Sequence, residues 1–196
     1  MTVVLALDLS MTRTGWAMGG PKWNTFQFGV FEPVMWEKRQ GHNLVNFRRF
    51  LDARREHFQI THLVIERVFV NANPAKFSWN GTESQLMQAG VAVEWAHGRG
   101  IATMWADIKD WRGRFLGHSV RAKGTGDDSK YWKDLALKRA AELNYYCTHH
   151  DEAEAIGLLD FALAALDPAY CRRTNPRHAR IQQDRDFKKG MFAYEG

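Results

Sequence analysis

Cysteine is scarce in this chain: of 196 residues only Cys147 and Cys171 carry a thiol. They stand too far apart in the sequence to be a metal-spacing pair, which argues against a cysteine zinc site and a disulfide scaffold and makes a reducing compartment the simpler expectation. Long apolar runs are missing as well. The first, Val3-Val4-Leu5-Ala6-Leu7, is interrupted by Asp8 and is too short for a signal peptide or a membrane span. The chain is therefore expected to be cytoplasmic and without a membrane partner. Neither an internal repeat nor a low-complexity stretch occurs. Acidic residues are the minority charge, 22 against 27 Lys and Arg, for a formal net charge of +5. That excess suits a polyanionic partner, although many basic proteins bind nothing anionic. With 45% apolar and 25% charged residues, the composition is that of one ordinary globular core.

Three short segments open the chain. Val3 to Leu7 is apolar and partly β-branched, and Thr14 to Met18 and Thr25 to Phe31 follow turn-forming residues, so an antiparallel meander is expected. From Glu37 to Phe58, Leu44, Phe47, Leu51 and Phe58 recur at helical spacing, with Arg48, Arg49, Arg54 and Arg55 on other faces. Thr61 to Glu66 reads as a buried strand ending on a charge, the place where an α/β sheet presents chemistry. Residues 70–82, with Asn71, Asn73, Pro74, Asn80 and Gly81, read as an irregular loop. A helix from Glu83 to Ala96 carries Leu86, Ala89, Gly90 and Val93 on one side. Ile101 to Ala106 makes a fifth strand, and a short helix spans Ile108 to Leu116. Gly117 to Asp128 is a glycine-rich basic loop, after which helices are expected from Ser129 to Leu143 and from His150 to Leu166, the latter closed by Pro168. Trp16, Trp95 and Trp105 fall within these elements and are expected in the core. This is the ribonuclease H-like α/β order: a five-stranded mixed sheet, three antiparallel strands and then parallel ones, flanked by helices. Residues 1–167 would form that domain. Residues 168–196, with seven Lys or Arg after Pro168 against three acids, would form a basic and extended tail.

Four carboxylates stand where such a sheet converges. Asp8 interrupts the first strand, Glu66 ends the fourth, and Asp151 and Glu154 open the last long helix. The i, i+3 spacing of Asp151 and Glu154 puts both on one face, and Glu152 on another. Clustered carboxylates repel one another until divalent cations relieve them, so this set predicts Mg²⁺ or Mn²⁺ rather than zinc. Two such ions, about 3.5–4 Å apart, suit phosphodiester hydrolysis without a side-chain nucleophile. Taken singly, Asp8 is equally a turn residue, and acids in a helix's first turn commonly complement its dipole. Taken together, an Asp and a Glu at the ends of two apolar strands are costly to place beside a core for no purpose.

The residues around these acids resemble a known family. Leu7-Asp8-Leu9-Ser10-Met11-Thr12-Arg13-Thr14-Gly15-Trp16-Ala17 resembles the first motif of RuvC-type Holliday-junction resolvases, phage-like members above all. Ile65-Glu66-Arg67-Val68-Phe69 is similar to their second motif, and His150-Asp151-Glu152-Ala153-Glu154-Ala155-Ile156-Gly157 to their last. Glu154 replaces the usual Asp, and the basic stretch from Gly117 to Lys130 is longer than in compact members. The resemblance implies a homodimer that nicks opposed strands of a four-way DNA junction. It also implies Asp8, Glu66, Asp151 and Glu154 as catalytic metal ligands.

Between Lys109 and Arg139, nine Lys or Arg face four acids, around a loop able to follow a phosphate backbone. The resemblance suggests Lys109 and Lys130 as phosphate contacts, with Arg121 and Lys123 in support. It also suggests Phe69 as a ring that stacks on bases at the branch point. Phe77 and Trp79 fit either DNA contact or core packing. His149 and His150 fit either water positioning or the start of the helix. The sequence leaves other readings open: a non-catalytic branched-DNA-binding protein of the same fold, a nuclease for other branched DNA or RNA, and an actin-like phosphotransferase. The last needs a second phosphate loop and domain, for which the chain offers no repeat.

Overall fold

The computed structural model describes residues 1–10, 12–32, 40–68, 79–120 and 128–174. Strand β1 (Val4–Asp8) pairs antiparallel with β2 (Thr14–Gly19), which pairs antiparallel with β3 (Gln27–Phe31). Helix α1 (Gln40–His57) leads to β4 (His62–Glu66), parallel to β1. Helix α2 (Trp79–His97) crosses to β5 (Ala102–Ala106), parallel to β4. The strand order is β3-β2-β1-β4-β5. Helices α3 (Ile108–Phe115), α4 (Asp128–Glu142), α5 (His150–Leu166) and α6 (Pro168–Thr174) follow. The expected five-stranded mixed sheet flanked by helices is the observed one.

Strand β1 lies at the centre with helices against both faces, so it is apolar on both sides instead of alternating with polar residues. Its alternation is one of size. Ala6, Ala17 and Val64 face the layer containing α5, while the larger Leu5, Leu7, Met18, Leu63 and Ile65 face α1 and α2. Small side chains on one face let α5 lie close to β1 and β2. From Asp151 to Asp160 every residue of α5 is buried, because the sheet covers one side and α3 and α4 cover others. Across the opposite face, α1 and α2 are joined through Asp52, which accepts hydrogen bonds from Trp95 Nε1 at 2.8 Å and from an Arg99 guanidinium nitrogen at 2.6 Å.

Several expectations change. Helix α2 begins at Trp79, not Glu83, so Asn80 and Gly81 lie within its first turn despite their turn-forming character. Its sides also divide differently. Ala89 is buried with Ala92 and Trp95, whereas Leu86 is 51% exposed and Gly90 has open space where a side chain would stand. Trp105, expected in the core, is 41% exposed, because β5 is an edge strand. Pro168 opens α6, so the segment expected to be extended is helical through Thr174. Tyr170 on α6 is buried and belongs to the α5-side core. Its hydroxyl donates to buried Asp160 at 2.9 Å, and Arg114 Nε donates to the same carboxylate at 3.0 Å. Among the described residues, no helix is long and apolar enough to cross a membrane.

Candidate metal centre

Parallel pairing aligns Leu7 with Ile65, so the next residues, Asp8 and Glu66, end neighbouring strands side by side. This is the carboxyl end of the parallel part of the sheet, where open α/β folds expose their chemistry. The third contributor is α5, and its start is fixed locally. Glu152 Oε2 accepts from the backbone N–H of Thr148 at 2.7 Å and of His149 at 3.1 Å, closing the first turn as a reciprocal cap does. Glu152 thereby turns away from the sheet while Asp151 and Glu154 turn toward it.

A glycine brings that turn into place. Gly15 is the cross-strand partner of Asp8, and a Cβ built on it would lie 2.0 Å from the Asp151 carbonyl oxygen. Only a residue without a side chain allows α5 to touch β2 here. As a result, oxygens of Asp8, Asp151 and Glu154 all lie within 4.8 Å of one another. Asp151 and Glu154 are buried and Asp8 partly so.

Glu66 lies beside this trio, not within that radius. One of its oxygens, Oε2, accepts a 2.7 Å hydrogen bond from Trp111 Nε1. Its charge still reaches the others. Asp8 is held well above the ordinary carboxylate range, first by burial and then by Glu154, Glu66 and Asp151. Burial and then Glu66 push Glu154 up to about 7, against the opposing pull of Arg112 and Lys133. Glu66 itself is raised by burial, with Trp111 and Arg112 opposing. Carboxylates buried and crowded in this way could hold a cation, which would relieve their mutual repulsion. Asp8, Asp151 and Glu154 all offer hard oxygen donors and neither thiol stands among them, a donor set that could hold a hard divalent cation.

Cationic side chains border the acids. Arg112 reaches Glu154 at 3.5 Å, and Lys133 on α4 faces the cluster closely enough to lower the pKa values of Asp8 and Glu154. His150 Nε2 lies 3.0 Å from Asp151 Oδ1. Arg13 donates to His149 Nδ1 at 3.0 Å and to Glu32 at 2.7 Å. Sequence reasoning missed Trp111, Arg112 and Lys133 as neighbours of the acids. Lys133 was within reach, since it follows Lys130 by three residues and so shares its side of a helix. Trp111 and Arg112 gave no such sign. Of the expected DNA contacts, Lys109 and Lys130 are exposed on α3 and α4. Phe69, Arg121 and Lys123 lie outside the described residues, as does Phe77.

No family model and no curated protein matches the sequence. Solved structures do match. Thermus thermophilus RuvC bound to a Holliday-junction substrate superposes with a TM-score of 0.59 at 9% identity, over 81% of this chain and 90% of that one. A second Thermus thermophilus RuvC structure gives 0.57 at 13% identity, over 84% and 96%. The yeast mitochondrial Holliday-junction resolvase Ydc2 gives 0.51 at 12% identity, over 96% and 85%. The chain has the RuvC fold. At these identities the likeness establishes architecture only, because one fold hosts many chemistries. Within this RuvC fold the acids at the strand ends and on α5 belong to the chain's own chemistry, and function has to be argued from them.

Proposed function

We propose that the chain is a metal-dependent endodeoxyribonuclease that resolves Holliday junctions and other branched DNA. Asp8, Glu66, Asp151 and Glu154 would hold Mg²⁺ or Mn²⁺, two ions per site. The observation that carries this reading is the meeting of Asp8, Asp151 and Glu154 within 4.8 Å, although 143 positions separate the first two in sequence. Divalent ions bound there supply Lewis acidity and charge neutralisation for hydrolysis of a phosphodiester.

The protein contributes the rest. A capped helix start and two strand ends hold the oxygens rigidly, so little reorganisation is needed on binding. Arg112 and Lys133 place permanent positive charge beside the acids, which eases approach of a polyanion to an otherwise repelling surface. Lys109 and Lys130, exposed on the helices flanking that charge, are the proposed phosphate contacts, with Arg121 and Lys123 continuing the basic loop. Phe69 is the proposed stacking ring. Residues 1–167 would form the nuclease domain, and the basic segment from 168 onward would add backbone contacts, tied down through α6. A homodimer is proposed to present two sites to opposed strands. Its support is the pair of exposed apolar side chains on α2, Leu86 and Met87, which are 51% and 38% exposed.

The test is incubation with a synthetic four-way junction, a flap and a plain duplex, with and without Mg²⁺. The junction should be cut only with the metal, and Asp8→Asn should bind it without cutting. Equal cutting of all three substrates, or unchanged cutting by Asp8→Asn, defeats the proposal.

A further inference from the structure

Helix α3 carries a fully buried tryptophan, Trp111, whose single polar atom is spent on Glu66. An indole donates one hydrogen bond and accepts none, so a buried tryptophan needs one acceptor. Here that acceptor is a carboxylate at the edge of the acidic cluster.

The ring is wedged in place from two directions. On α5, position 157 is glycine, and a Cβ there would come within 2.9 Å of Trp111 Cε3 and Cζ3. The missing side chain is the space that the indole fills together with the Phe115 ring, whose Cδ1 would lie 2.9 Å from the same Cβ. Arg112, the next residue, lays its guanidinium over the Trp111 ring at 5.3 Å and over the Trp132 ring at 4.9 Å, while reaching Glu154 at 3.5 Å. An indole so confined has little room to swing, and its 2.7 Å hydrogen bond restrains the Glu66 carboxylate. Glu66 therefore has Oε2 committed and Oε1 left over. A carboxylate held in one rotamer binds a cation without first losing rotational freedom, and outer groups that orient metal ligands commonly influence affinity strongly.

We propose that Trp111 is a positioning residue of the metal centre, fixing the rotamer of Glu66, with Gly157 providing the space that its ring occupies. The proposal rests on the metal-site reading given above and assigns a further residue to it.

Trp111→Phe keeps a ring and removes the N–H. Trp95→Phe is the matched control, since Trp95 is also fully buried and its Nε1 donates to Asp52 on the α1–α2 side of the sheet. Mn²⁺ binding to the full chain is measured by calorimetry, and melting is followed in EDTA and in Mn²⁺. Trp111→Phe should weaken Mn²⁺ about 10-fold and shrink the metal-induced rise in Tm. Trp95→Phe should lower Tm in EDTA and leave Mn²⁺ affinity unchanged. Gly157→Ala, which presses the ring from the other side, should weaken Mn²⁺ as Trp111→Phe does, and it supplies the test should Trp111→Phe not fold. Unaltered Mn²⁺ affinity in either site variant overturns the assignment while leaving the metal site intact. Equal weakening in Trp111→Phe and Trp95→Phe also overturns it, because general loosening would then account for the effect. Absence of Mn²⁺ binding by the unmodified protein overturns the metal-site reading itself.

Discussion

Replacing Gly15 by alanine is the smallest change that should take the acidic site apart. The added methyl carbon would start 2.0 Å from the Asp151 carbonyl oxygen, and ordinary contact begins at 3.4 Å, so sheet and helix must separate locally by about 1.4 Å. The obstructing atom is backbone, which cannot rotate aside as a flexible side chain would. Strand β2 is hydrogen-bonded on both edges, so the first turn of α5 is the part that yields. That turn carries Asp151 and leads directly into Glu154, while Asp8 sits opposite Gly15, so the displacement falls on the gap between the acidic oxygens. A metal site tolerates errors of roughly 0.2 Å in ligand distance, and a shift several times larger should weaken Mn²⁺ by at least 10-fold. The stability penalty is of the overpacking kind, about 1–3 kcal/mol. Calorimetric Mn²⁺ titration read beside the Tm in EDTA separates the two effects. If Gly15→Ala binds Mn²⁺ and cuts a four-way junction as the unmodified protein does, the close approach of α5 is not what assembles the site.

Three further outcomes are expected. Glu154 is raised from its ordinary 4.5 to about 7, and Asp8 is raised as well. The folded state therefore holds these protons more tightly than the unfolded chain, and the associated stability is complete below about pH 4.5 and lost as pH climbs through 7. Without metal, this site should cost on the order of 3 kcal/mol between pH 5 and 8. Melting in EDTA across that range should show a fall that is smaller in Glu154→Gln and offset by Mn²⁺, and equal profiles for the two proteins would refute the assignment. Removing both Lys109 and Lys130 should lower the slope of log affinity for junction DNA against log salt by about 2, near 0.9 per lost phosphate contact. An unchanged slope in filter binding would free both residues from that role. Tyr170→Phe takes one hydrogen bond from buried Asp160 and should lower stability by about 1–3 kcal/mol with Mn²⁺ affinity intact. A Tm matching the unmodified protein would mean that α6 is not tied to the core through this bond.

The legible part of the fold follows from simple patterns. Strand β1 is a run of apolar residues cut by one acid, and α5 announces itself by Ala155, Leu159, Ala162, Leu163 and Leu166 at helical spacing, so both ends of the acidic cluster could be read directly. The start of α2 could not, because Asn80 and Gly81 favour turns locally and tertiary packing overrides that weak preference. Trp105 was misplaced for a related reason: a strand's composition does not say whether it lies at the centre or the edge of a sheet. Glycines 15 and 157 were visible as letters, but the sequence does not reveal which backbone or ring would come to occupy the space that each leaves. Arg112 was counted only as one more charge in a basic stretch, and its stacking between Trp111 and Trp132 depends on a contact between α3 and α4 that no local spacing encodes.

Three acids near the start of α5, Asp151 and Glu152 in its first turn and Glu154 just beyond, show how the ordinary and the functional readings of a charge can both hold. Acidic side chains suit a helix N-terminus because its free N–H groups and dipole favour negative charge, and Glu152 does this alone, closing the turn onto Thr148 and His149. With the backbone donors so engaged, Asp151 and Glu154 are not needed as caps. Geometry then separates them from Glu152, since i and i+3 share the face turned to the sheet. There they meet Asp8 in surroundings that keep Asp8 and Glu154 from ionising readily. The helix dipole softens this repulsion at one end, and Arg112 and Lys133 soften it from the side, yet the site keeps its raised pKa values despite all three. Burial and mutual repulsion outweigh these fixed positive groups, so the carboxyls hold their protons, and the cluster is one whose repulsion a cation could relieve.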